Sequence, residues 1–325
     1  MAFGLQNQTR SCVPHLHAEN FPANGVLKLS EPMSNFFVSL ADLWIRRAAA
    51  PKPEAFALVR DLSPAVVITG ASRGIGRALA QRFAEAGHDL VLIARAPDPL
   101  EKTVQELSRS TKSRVVPLAL DVTAPDAPQR LDAALAAAGF YMDVLVNNAG
   151  IGLSGPFVEQ EATDIERLIA LNVTAATRLM HHALPAMLAR ARGGILNVGS
   201  LGGLVPGPNQ AAYYASKAYL ISLTEAVGHE VRGRGVRLSV VAPGPVETTF
   251  HRSMRAEGAL YRTLVPSMSA EAVARSSYRG YRIGRTVIVP GVLPALNAIA
   301  LKFLPHALSV PLVGFLLSNG SRRAS

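Results

Sequence analysis

The sequence predicts a single α/β domain, built on a doubly wound, mostly parallel sheet of seven strands with helices on both faces. One observation behind this fold class is that, from residue 65 onwards, short apolar runs alternate with segments of helical periodicity. Such alternation is typical of parallel sheets that are buried on both faces. The other is composition: of 325 residues, 49% are hydrophobic and 17% charged, which is sufficient for a large buried core.

The predicted strands and helices follow one another regularly along residues 64–290, which we assign to the domain. The predicted strands are residues 65–69, 89–94, 114–120, 143–147, 194–199, 236–241 and 286–289. The predicted helices are residues 75–87, 99–110, 128–138, 161–191, 211–233 and 269–279. We expect the longest helical stretch, 161–191, to contain two helices.

An N-terminal extension, residues 1–63, precedes the domain. Within it residues 1–32 are polar and lack periodicity, which predicts disorder. Residues 33–50 repeat apolar side chains at helical spacing, which predicts an amphipathic helix, either on a membrane surface or packed on its own domain. Residues 51–63 contain prolines and are predicted to be a linker. Met33 is a second candidate translation start.

A C-terminal tail, residues 291–325, follows the domain. The tail is apolar but is interrupted by Pro294, Pro305 and Pro311, so it contains no apolar run long enough to cross a bilayer. Three roles for it are open: contact with a membrane surface, a cover over an apolar substrate site, or packing in a dimer.

The composition disfavours several classes of function. The formal net charge is +10, but the basic residues are scattered rather than clustered, which argues against a nucleic-acid partner. Cys12 is the only cysteine, so no internal disulfide can form, and a reducing, cytoplasmic location is expected. His181 and His182 are adjacent on a predicted helix and point apart, and we expect no metal site. The N-terminus has no secretory signal pattern.

The stretch TGASRGIG, residues 69–76, leads from the first predicted strand into the first predicted helix. Its glycines, Gly70, Gly74 and Gly76, let the backbone approach a bound group closely. The start of the helix offers free N–H groups and the positive end of the helix dipole. These features predict a phosphate-binding turn for a dinucleotide, although a tight turn without a ligand has the same pattern.

The charge beside this turn predicts which dinucleotide is preferred. Proteins that select NAD usually place an acidic residue about 20 residues further on, where it binds the ribose 2′-hydroxyl. Here the second predicted strand is followed by Arg95, and Arg73 stands within the turn. Guanidinium groups bind phosphate oxygens through paired hydrogen bonds, so NADP is predicted over NAD. The alternative is that either arginine is an ordinary surface residue.

Three side chains further along the chain carry the candidate chemistry: Ser200, Tyr213 and Lys217. Tyr213 and Lys217 are four residues apart and share one face of a predicted helix, whereas Tyr214 faces elsewhere. An ammonium group near a phenol favours the phenolate and lowers the pKa of the tyrosine. We therefore expect Tyr213 to give or take a proton near neutral pH.

Taken together, the motifs resemble those of the classical short-chain dehydrogenase/reductase family. They are, in chain order, TGASRGIG (69–76), LDV (120–122), NNAG (147–150), LNV with Asn172, NVGS with Ser200, YYASK (213–217) and PGPVET (243–248). The resemblance covers residues 64–250 and, more loosely, the chain to residue 290. It implies a Rossmann-type fold and hydride transfer with a nicotinamide cofactor.

The resemblance also implies a role for each matching residue. Tyr213 would be the general acid that protonates a carbonyl oxygen, and Ser200 would hydrogen-bond that oxygen. Lys217 would bond the nicotinamide ribose and depress the pKa of Tyr213, and Asn172 would hold a water in a proton relay. The predicted cofactor contacts are Gly70, Ser72, Arg73, Gly74, Ile75, Gly76, Arg95, Asp121, Val122, Asn148, Ala149, Gly150, Tyr213, Lys217, Pro243, Gly244, Val246 and Thr248.

These observations predict an NADPH-dependent oxidoreductase that reduces a ketone or an aldehyde. An apolar variable region at 250–268 favours a hydrophobic substrate. Its apolar residues are Phe250, Met254, Leu260, Tyr261, Leu264 and Met268. Two alternatives stay open: an NADP-dependent alcohol dehydrogenase working oxidatively, and an NADP-sensing or scaffold protein docked on membranes through 33–50 and 291–317. The resemblance also implies a homo-oligomer, a dimer or tetramer paired through 161–191 and 211–233.

Overall fold

The computed structural model describes residues 52–248, 250, 254, 260–261, 265–291, 294–296, 300 and 304–318. The predictions for residues 1–32 and 33–50, and for Cys12, Met33 and Leu264, lie outside these residues. Among the described residues, no helix is both long enough and apolar enough to cross a membrane.

Within the described residues, seven strands form one sheet in the order β3-β2-β1-β4-β5-β6-β7, and all neighbouring strands run parallel. The strands are β1 (Ser63–Thr69), β2 (Asp89–Ala94), β3 (Val115–Ala119), β4 (Phe140–Asn147), β5 (Gly193–Val198), β6 (Val236–Val241) and β7 (Val287–Ile288). The predicted doubly wound, Rossmann-type fold is confirmed. Of the edge strands in this part of the chain, β7 has two residues and β3 contains Pro117.

Helices occur between the strands and at both ends of the described chain. They are α1 (Pro53–Ala57), α2 (Gly74–Glu85), α3 (Pro97–Ser110), α4 (Ala127–Ala137), α5 (Ala162–Ile169), α6 (Ala176–Ala189), α7 (Ala211–Glu230), α8 (Ala270–Arg282) and α9 (His306–Leu317). The first of them lies in the segment predicted as a linker and begins with a proline, which suits the first turn of a helix.

Apolar side chains alternate between the two faces of the strands and are covered on both. In β1, Val66 and Ile68 contribute to a cluster with α2, α3 and α8, whereas Ala65 and Val67 contribute to a cluster with α4, α6 and α7. This double burial explains why β1 is a continuous apolar run in the sequence.

β4 begins at Phe140, although the sequence predicts a start at residue 143. Asp143 interrupts the apolar run, but the strand passes it through an irregularity, because the register with β1 shifts between Ala65 and Val66. The Asp143 carboxylate is half-buried and accepts a hydrogen bond from Nε of Arg192 (2.9 Å). The sequence pattern therefore missed residues 140–142, because a charged side chain interrupts the apolar run after them.

Segment 161–191 contains two α-helices, as expected, but no loop separates them. α5 leads directly into a π-helical turn, Ala170–Ala175, and α6 continues from it. The sequence has no glycine or proline between residues 162 and 184 that would end a helix. The two helices are therefore joined by the wider π turn instead of a loop.

The strand order reverses between β1 and β4, because the chain crosses from β3 at one edge to the other side of β1. In open α/β sheets, ligands bind in the crevice at the carboxyl ends of the strands at such a reversal.

Candidate active site

The glycine turn after β1 lies at this crevice and is supported by the end of β4. Gly70 and Gly74 have φ angles of 65° and 56°, a conformation that glycine adopts without strain. Nδ2 of Asn148 donates hydrogen bonds to the carbonyl oxygens of Thr69 (2.9 Å) and Gly70 (3.0 Å). A Cβ atom at Gly76 would overlap the Gly70 carbonyl and the Asn148 amide. Bare backbone of this kind at the start of α2 fits a dinucleotide pyrophosphate.

Both arginines predicted to bind the 2′-phosphate are exposed beside this turn. Arg73 is the N-cap residue of α2, and Arg95 follows β2 directly. Burial raises the pKa of the nearby Asp121 carboxyl, but hydrogen bonds from Thr123 and the charge of Arg95 outweigh it and lower that pKa. An anion at this rim would therefore meet two guanidinium groups and one ionised carboxylate.

The Ser200 hydroxyl lies beside that of Tyr213 and lowers the pKa of the phenol. Ser200 follows β5, and its Oγ also accepts a hydrogen bond from the main-chain N–H of Gly202 (3.1 Å). Tyr213 lies in the first turn of α7 and is buried. The main-chain N–H of Gly199 bonds the Val241 carbonyl oxygen (2.7 Å), which aligns the start of this loop with β6. The two hydroxyls therefore meet at the carboxyl ends of β5 and β6.

Lys217 is buried one turn further along α7 than Tyr213. Burial raises the pKa of Tyr213 to about 12, although the hydrogen bond with Ser200 acts in the opposite direction. Burial also lowers the pKa of Lys217 to about 8. Among the groups of the chain, Ser200 rather than Lys217 lowers the pKa of Tyr213, and the effect of Lys217 on that pKa stays a prediction. Nζ of Lys217 lies 5.8 Å from the tyrosine ring centre and donates to the Val198 carbonyl oxygen (2.8 Å).

Asn172 lies in the π-helical turn, and its side chain is engaged on both sides. Its Oδ1 accepts a hydrogen bond from the Ile151 N–H (2.9 Å), and its Nδ2 donates to the Ile151 carbonyl (2.8 Å) and to Oγ of Ser216 (3.1 Å). A Cβ atom at Gly150 would lie 3.1 Å from Oδ1 of Asn172 and 3.5 Å from Nζ of Lys217. Asn172 thus joins the segment after β4 to α7, and its role in holding a water stays a prediction.

The segment after β6 contacts both the Ser200 loop and the glycine turn. The Leu201 N–H donates to the Pro243 carbonyl oxygen (2.9 Å). At the other end, Cγ2 of Thr248 would lie 3.3 Å from a Cβ atom at Gly74. Residues 243–248 therefore extend across the crevice.

The predicted site residues come together at the carboxyl edge of the sheet or on helices that begin or pass there, but they differ in exposure. The exposed ones are Arg73, Arg95 and Asp121. The half-buried ones are Gly70, Ser72, Gly74, Ile75, Asn148, Ala149, Gly150, Ser200, Gly244 and Thr248. The buried ones are Gly76, Val122, Asn172, Tyr213, Lys217, Pro243 and Val246. Val122 and Val246 belong to the two apolar clusters, which leaves chiefly their main chains for contact with a cofactor.

Apolar side chains pack directly on Tyr213. Its ring centre lies 5.7 Å from that of Phe250, and Met254 and Leu168 belong to the same cluster. Met254 lies so close to Gly152 that a Cβ atom there would be 2.6 Å from its side chain. A substrate bound at Tyr213 would therefore meet an apolar surface.

A chain of buried polar residues beneath the site was not predicted. Nδ2 of Asn147, at the end of β4, donates to Oδ1 of Asn197 in β5 (3.0 Å), and Nδ2 of Asn197 donates to Oγ1 of Thr224 in α7 (2.8 Å). The sequence did hold a signal, because each of two neighbouring apolar strands contains an asparagine near its end. Buried amides need partners, so two such residues on adjacent strands indicate a contact.

A family model described as short chain dehydrogenase matches residues 64–259. One relative, sulfoacetaldehyde reductase 2 of Chromohalobacter salexigens, is 37% identical over 220 residues, which are 66% of this chain and 86% of the relative.

Two solved structures have a similar fold. A short-chain dehydrogenase from Sphingobium yanoikuyae in complex with NADPH is 33% identical, with a TM-score of 0.65 over 73% of this chain and 92% of that chain. A short chain dehydrogenase/reductase from Burkholderia phymatum in complex with NAD is 28% identical, with a TM-score of 0.66 over 74% of this chain and 92% of that chain.

Proposed function

Because the chain belongs to the short-chain dehydrogenase/reductase family, whose members are oxidoreductases that use NAD(P), we propose that it reduces a ketone or an aldehyde to the alcohol with NADPH. The observation that carries the proposal is the Ser200 hydroxyl beside that of Tyr213, close to the buried Lys217. When bound, the nicotinamide supplies the hydride, and the chain itself orients the carbonyl compound and supplies the proton.

Tyr213 is the proposed proton donor. Because burial raises its pKa to about 12, its hydroxyl stays protonated at neutral pH and has a proton to give. Ser200 holds that hydroxyl and offers a second hydrogen bond to a carbonyl oxygen that enters between them. The same groups can act in both directions, because the phenolate that reduction leaves on Tyr213 is the base that oxidation would use. The choice of reduction therefore rests on the predicted preference for NADPH.

The preference for NADPH rests on Arg73 and Arg95, and Arg95→Asp tests it. We expect the Kd for NADPH to rise about ten- to hundredfold, because a hydrogen bond to a charged group contributes about 1.5–3 kcal/mol. The Kd for NADH should change far less, since NADH has no 2′-phosphate. Fluorescence titration with each nucleotide measures both values.

Arg109→Asp is the matched control for that experiment. It makes the same change of charge in the last turn of α3, just before β3 begins. This position lies near the amino ends of the strands, whereas Arg95 lies at their carboxyl ends. If Arg95→Asp bound NADPH as tightly as the wild type does, Arg95 would not contact the phosphate, and the proposed preference would lose its main support.

The proposed substrate is apolar around its carbonyl group, because Phe250, Met254 and Leu168 share an apolar cluster with Tyr213. The test follows NADPH absorbance with ketones from butanone to long-chain 3-oxo compounds and aromatic ketones, with sulfoacetaldehyde as the charged comparison. Turnover that rises with chain length supports the proposal, and turnover limited to sulfoacetaldehyde contradicts the apolar substrate. NADPH binding without consumption in the whole series contradicts the proposed reaction and favours the sensing role.

Assembly and membrane contact stay predictions, each with a surface that supports it. Ile169 and Tyr219, in the segments predicted to pair subunits, are 45% and 40% exposed. On α9, Leu308, Leu312 and Phe315 are exposed apolar side chains in the tail that was predicted to contact a membrane.

A further inference from the structure

The loops that lead into the strands lie together at one edge of the sheet, because all neighbouring strands run parallel. We call this the amino edge, and it is opposite the candidate active site. Its loops are residues 58–62, 86–88, 111–114, 138–139, 190–192, 231–235 and 283–286. Their basic residues are Arg60, Lys112, Arg114, Arg190, Arg192, Arg232, Arg234 and Arg285, and their only acidic residue is Asp61. Eight positive charges and one negative charge give these loops a net charge of +7, whereas the whole chain has +10.

The loops that leave the strands, at the carboxyl edge, have the opposite balance of charge. Up to residue 210 these loops are 70–73, 95–96, 120–126, 148–161 and 199–210. They contain two basic residues, Arg73 and Arg95, and four acidic residues, Asp121, Asp126, Glu159 and Glu161. The basic residues are scattered along the sequence, but the fold therefore collects many of them at the amino edge.

Three basic side chains of the amino edge are exposed and pair with no carboxylate among the described residues: Lys112, Arg234 and Arg285. They precede β3, β6 and β7. Because β3 and β7 are the outer strands of the sheet, these charges extend over about 30 Å, at about 4.8 Å from strand to strand. A positive surface of this width attracts an extended anion, such as a membrane or a nucleic acid.

Segment 52–62 is held across the amino edge by its two ends. The Lys52 N–H donates to the carbonyl oxygen of Ala189 (3.0 Å), where α6 ends. Just beyond the segment, the Ser63 N–H donates to the carbonyl oxygen of Gly139 (2.9 Å), immediately before β4. The segment therefore passes the amino ends of β5, β4 and β1.

Two apolar side chains of this segment are exposed among the charges. Leu58 is 83% exposed and Phe56 is 37% exposed, and the basic residues Lys52 and Arg60 lie on either side of them in the sequence. Exposed apolar side chains flanked by basic ones are typical of surfaces that lie on anionic membranes, where the apolar groups enter the headgroup layer. A nucleic acid would use the charges but would leave Leu58 in water.

The position of Lys52 also places the preceding part of the chain. Residues 33–50 lie outside the described residues, but they join the fold at the amino edge because Lys52 is fixed there. Their sequence has the same combination of apolar and basic residues: Phe36, Phe37, Leu40, Leu43 and Trp44, followed by Arg46 and Arg47.

α9, the other segment predicted to contact a membrane, does not lie at this edge. It packs on Val205, beyond the carboxyl end of β5, and it contains no Lys or Arg. An anionic surface is therefore matched by the amino edge and not by α9.

We propose that the amino edge binds an anionic phospholipid membrane, with Leu58 and Phe56 among the headgroups and the basic side chains on the lipid phosphates. The candidate active site, at the carboxyl edge, then faces away from the membrane. This inference does not depend on the proposed reductase function.

Co-sedimentation of the full chain with vesicles tests the proposal. The vesicles are phosphatidylcholine mixed two to one with anionic phosphatidylglycerol, and phosphatidylcholine alone serves as the comparison. The wild type should prefer the anionic vesicles, and its binding should weaken as salt is added. A triple variant, Lys112→Glu with Arg234→Glu and Arg285→Glu, should bind the anionic vesicles at least about a hundredfold more weakly.

The matched control is a second triple variant, Lys102→Glu with Arg130→Glu and Arg275→Glu. These side chains are exposed, and each lies in the first half of its helix, nearer the carboxyl edge. The net charge changes by the same amount, so this variant should keep most of its binding. Equal losses in the two triple variants, or equal binding of the wild type to both kinds of vesicle, would overturn the proposal.

Leu58→Ser tests the apolar contact, with Leu308→Ser on α9 as its control, since Leu308 is 61% exposed. Leu58→Ser should weaken vesicle binding about tenfold, and Leu308→Ser should leave it unchanged. The reverse result would place α9 on the membrane and overturn the proposal. Tighter binding of the wild type to a DNA duplex than to anionic vesicles would also overturn it, in favour of a nucleic-acid partner. If circular dichroism shows that a triple variant does not fold, the two serine variants decide.

Discussion

Replacing Tyr213 by phenylalanine should lower kcat for ketone reduction with NADPH by about 10²- to 10⁴-fold. The substitution removes only the hydroxyl, which is the proposed proton donor and lies beside Ser200. The ring remains and keeps its packing against Phe250 and Met254. The Kd for NADPH should therefore stay within a few-fold of the wild-type value. Steady-state kinetics at saturating NADPH and fluorescence titration measure the two quantities separately.

Tyr214→Phe is the matched control. It removes a hydroxyl from the next residue of the same helix, whose ring packs on Gly202 and Gly207 rather than on Phe250. We expect this variant to keep most of its activity. Substantial turnover by Tyr213→Phe would mean that another group donates the proton.

Lys217→Met should abolish most of the turnover and also change how stability depends on pH. The activity should fall by about 10²-fold or more, because Lys217 lies beside Asn172 and one turn from Tyr213.

The effect on stability follows from burial, which lowers the pKa of Lys217 from the ordinary 10.5 to about 8. Between these two values the unfolded chain holds a proton that the folded chain has released, so the wild-type free energy of unfolding rises with pH.

From pH 7 to pH 10 this rise amounts to about 2–3 kcal/mol, and Lys217→Met should lack it. Urea unfolding of both proteins at several pH values measures the difference between them. Lys102→Met, which removes an exposed lysine of α3, should follow the wild type. If the free energy of unfolding changed with pH in Lys217→Met as it does in the wild type, Lys217 would not be a buried lysine with a lowered pKa.

Most of the sheet could be predicted because each central strand is buried on both faces and is therefore a continuous apolar run. β2, with Leu90 to Ala94 buried, is an example. The pattern failed at Phe140, because Asp143 broke the run while the backbone continued past it. An apolar pattern reflects the side chains, whereas pairing between strands depends on main-chain hydrogen bonds. A single charged residue does not interrupt those hydrogen bonds.

The sequence could place Tyr213 and Lys217 one turn apart on one helix, but it could not predict the electrostatics of the candidate site. Spacing alone places Tyr213 and Lys217 on one helix face. Their pKa values depend on how deeply they are buried, and part of the burial of Tyr213 comes from Phe250 and Met254, which are remote in sequence. The same limit applies to Asn147 and Asn197, whose pairing requires the order of β4 and β5.

The tail could be recognised as apolar, but its location required tertiary contacts. Val313 and Leu317 pack on Val205, which lies far from the tail in sequence, and the three roles open for the tail stay predictions. No short-range pattern predicts the contact between Gly314 and Pro208. A glycine within a helix indicates that another part of the chain packs closely there, but it does not identify that part.

The two edge strands of the sheet determine how readily a further strand could pair with it. Within the described residues one margin is β7, which is two residues long, and the other is β3, where Pro117 has no N–H to donate. A short strand and a proline both make a poor template for an incoming strand. Within the described residues, neither edge of the sheet therefore offers a long, unbroken strand for the edge-to-edge pairing that builds amyloid.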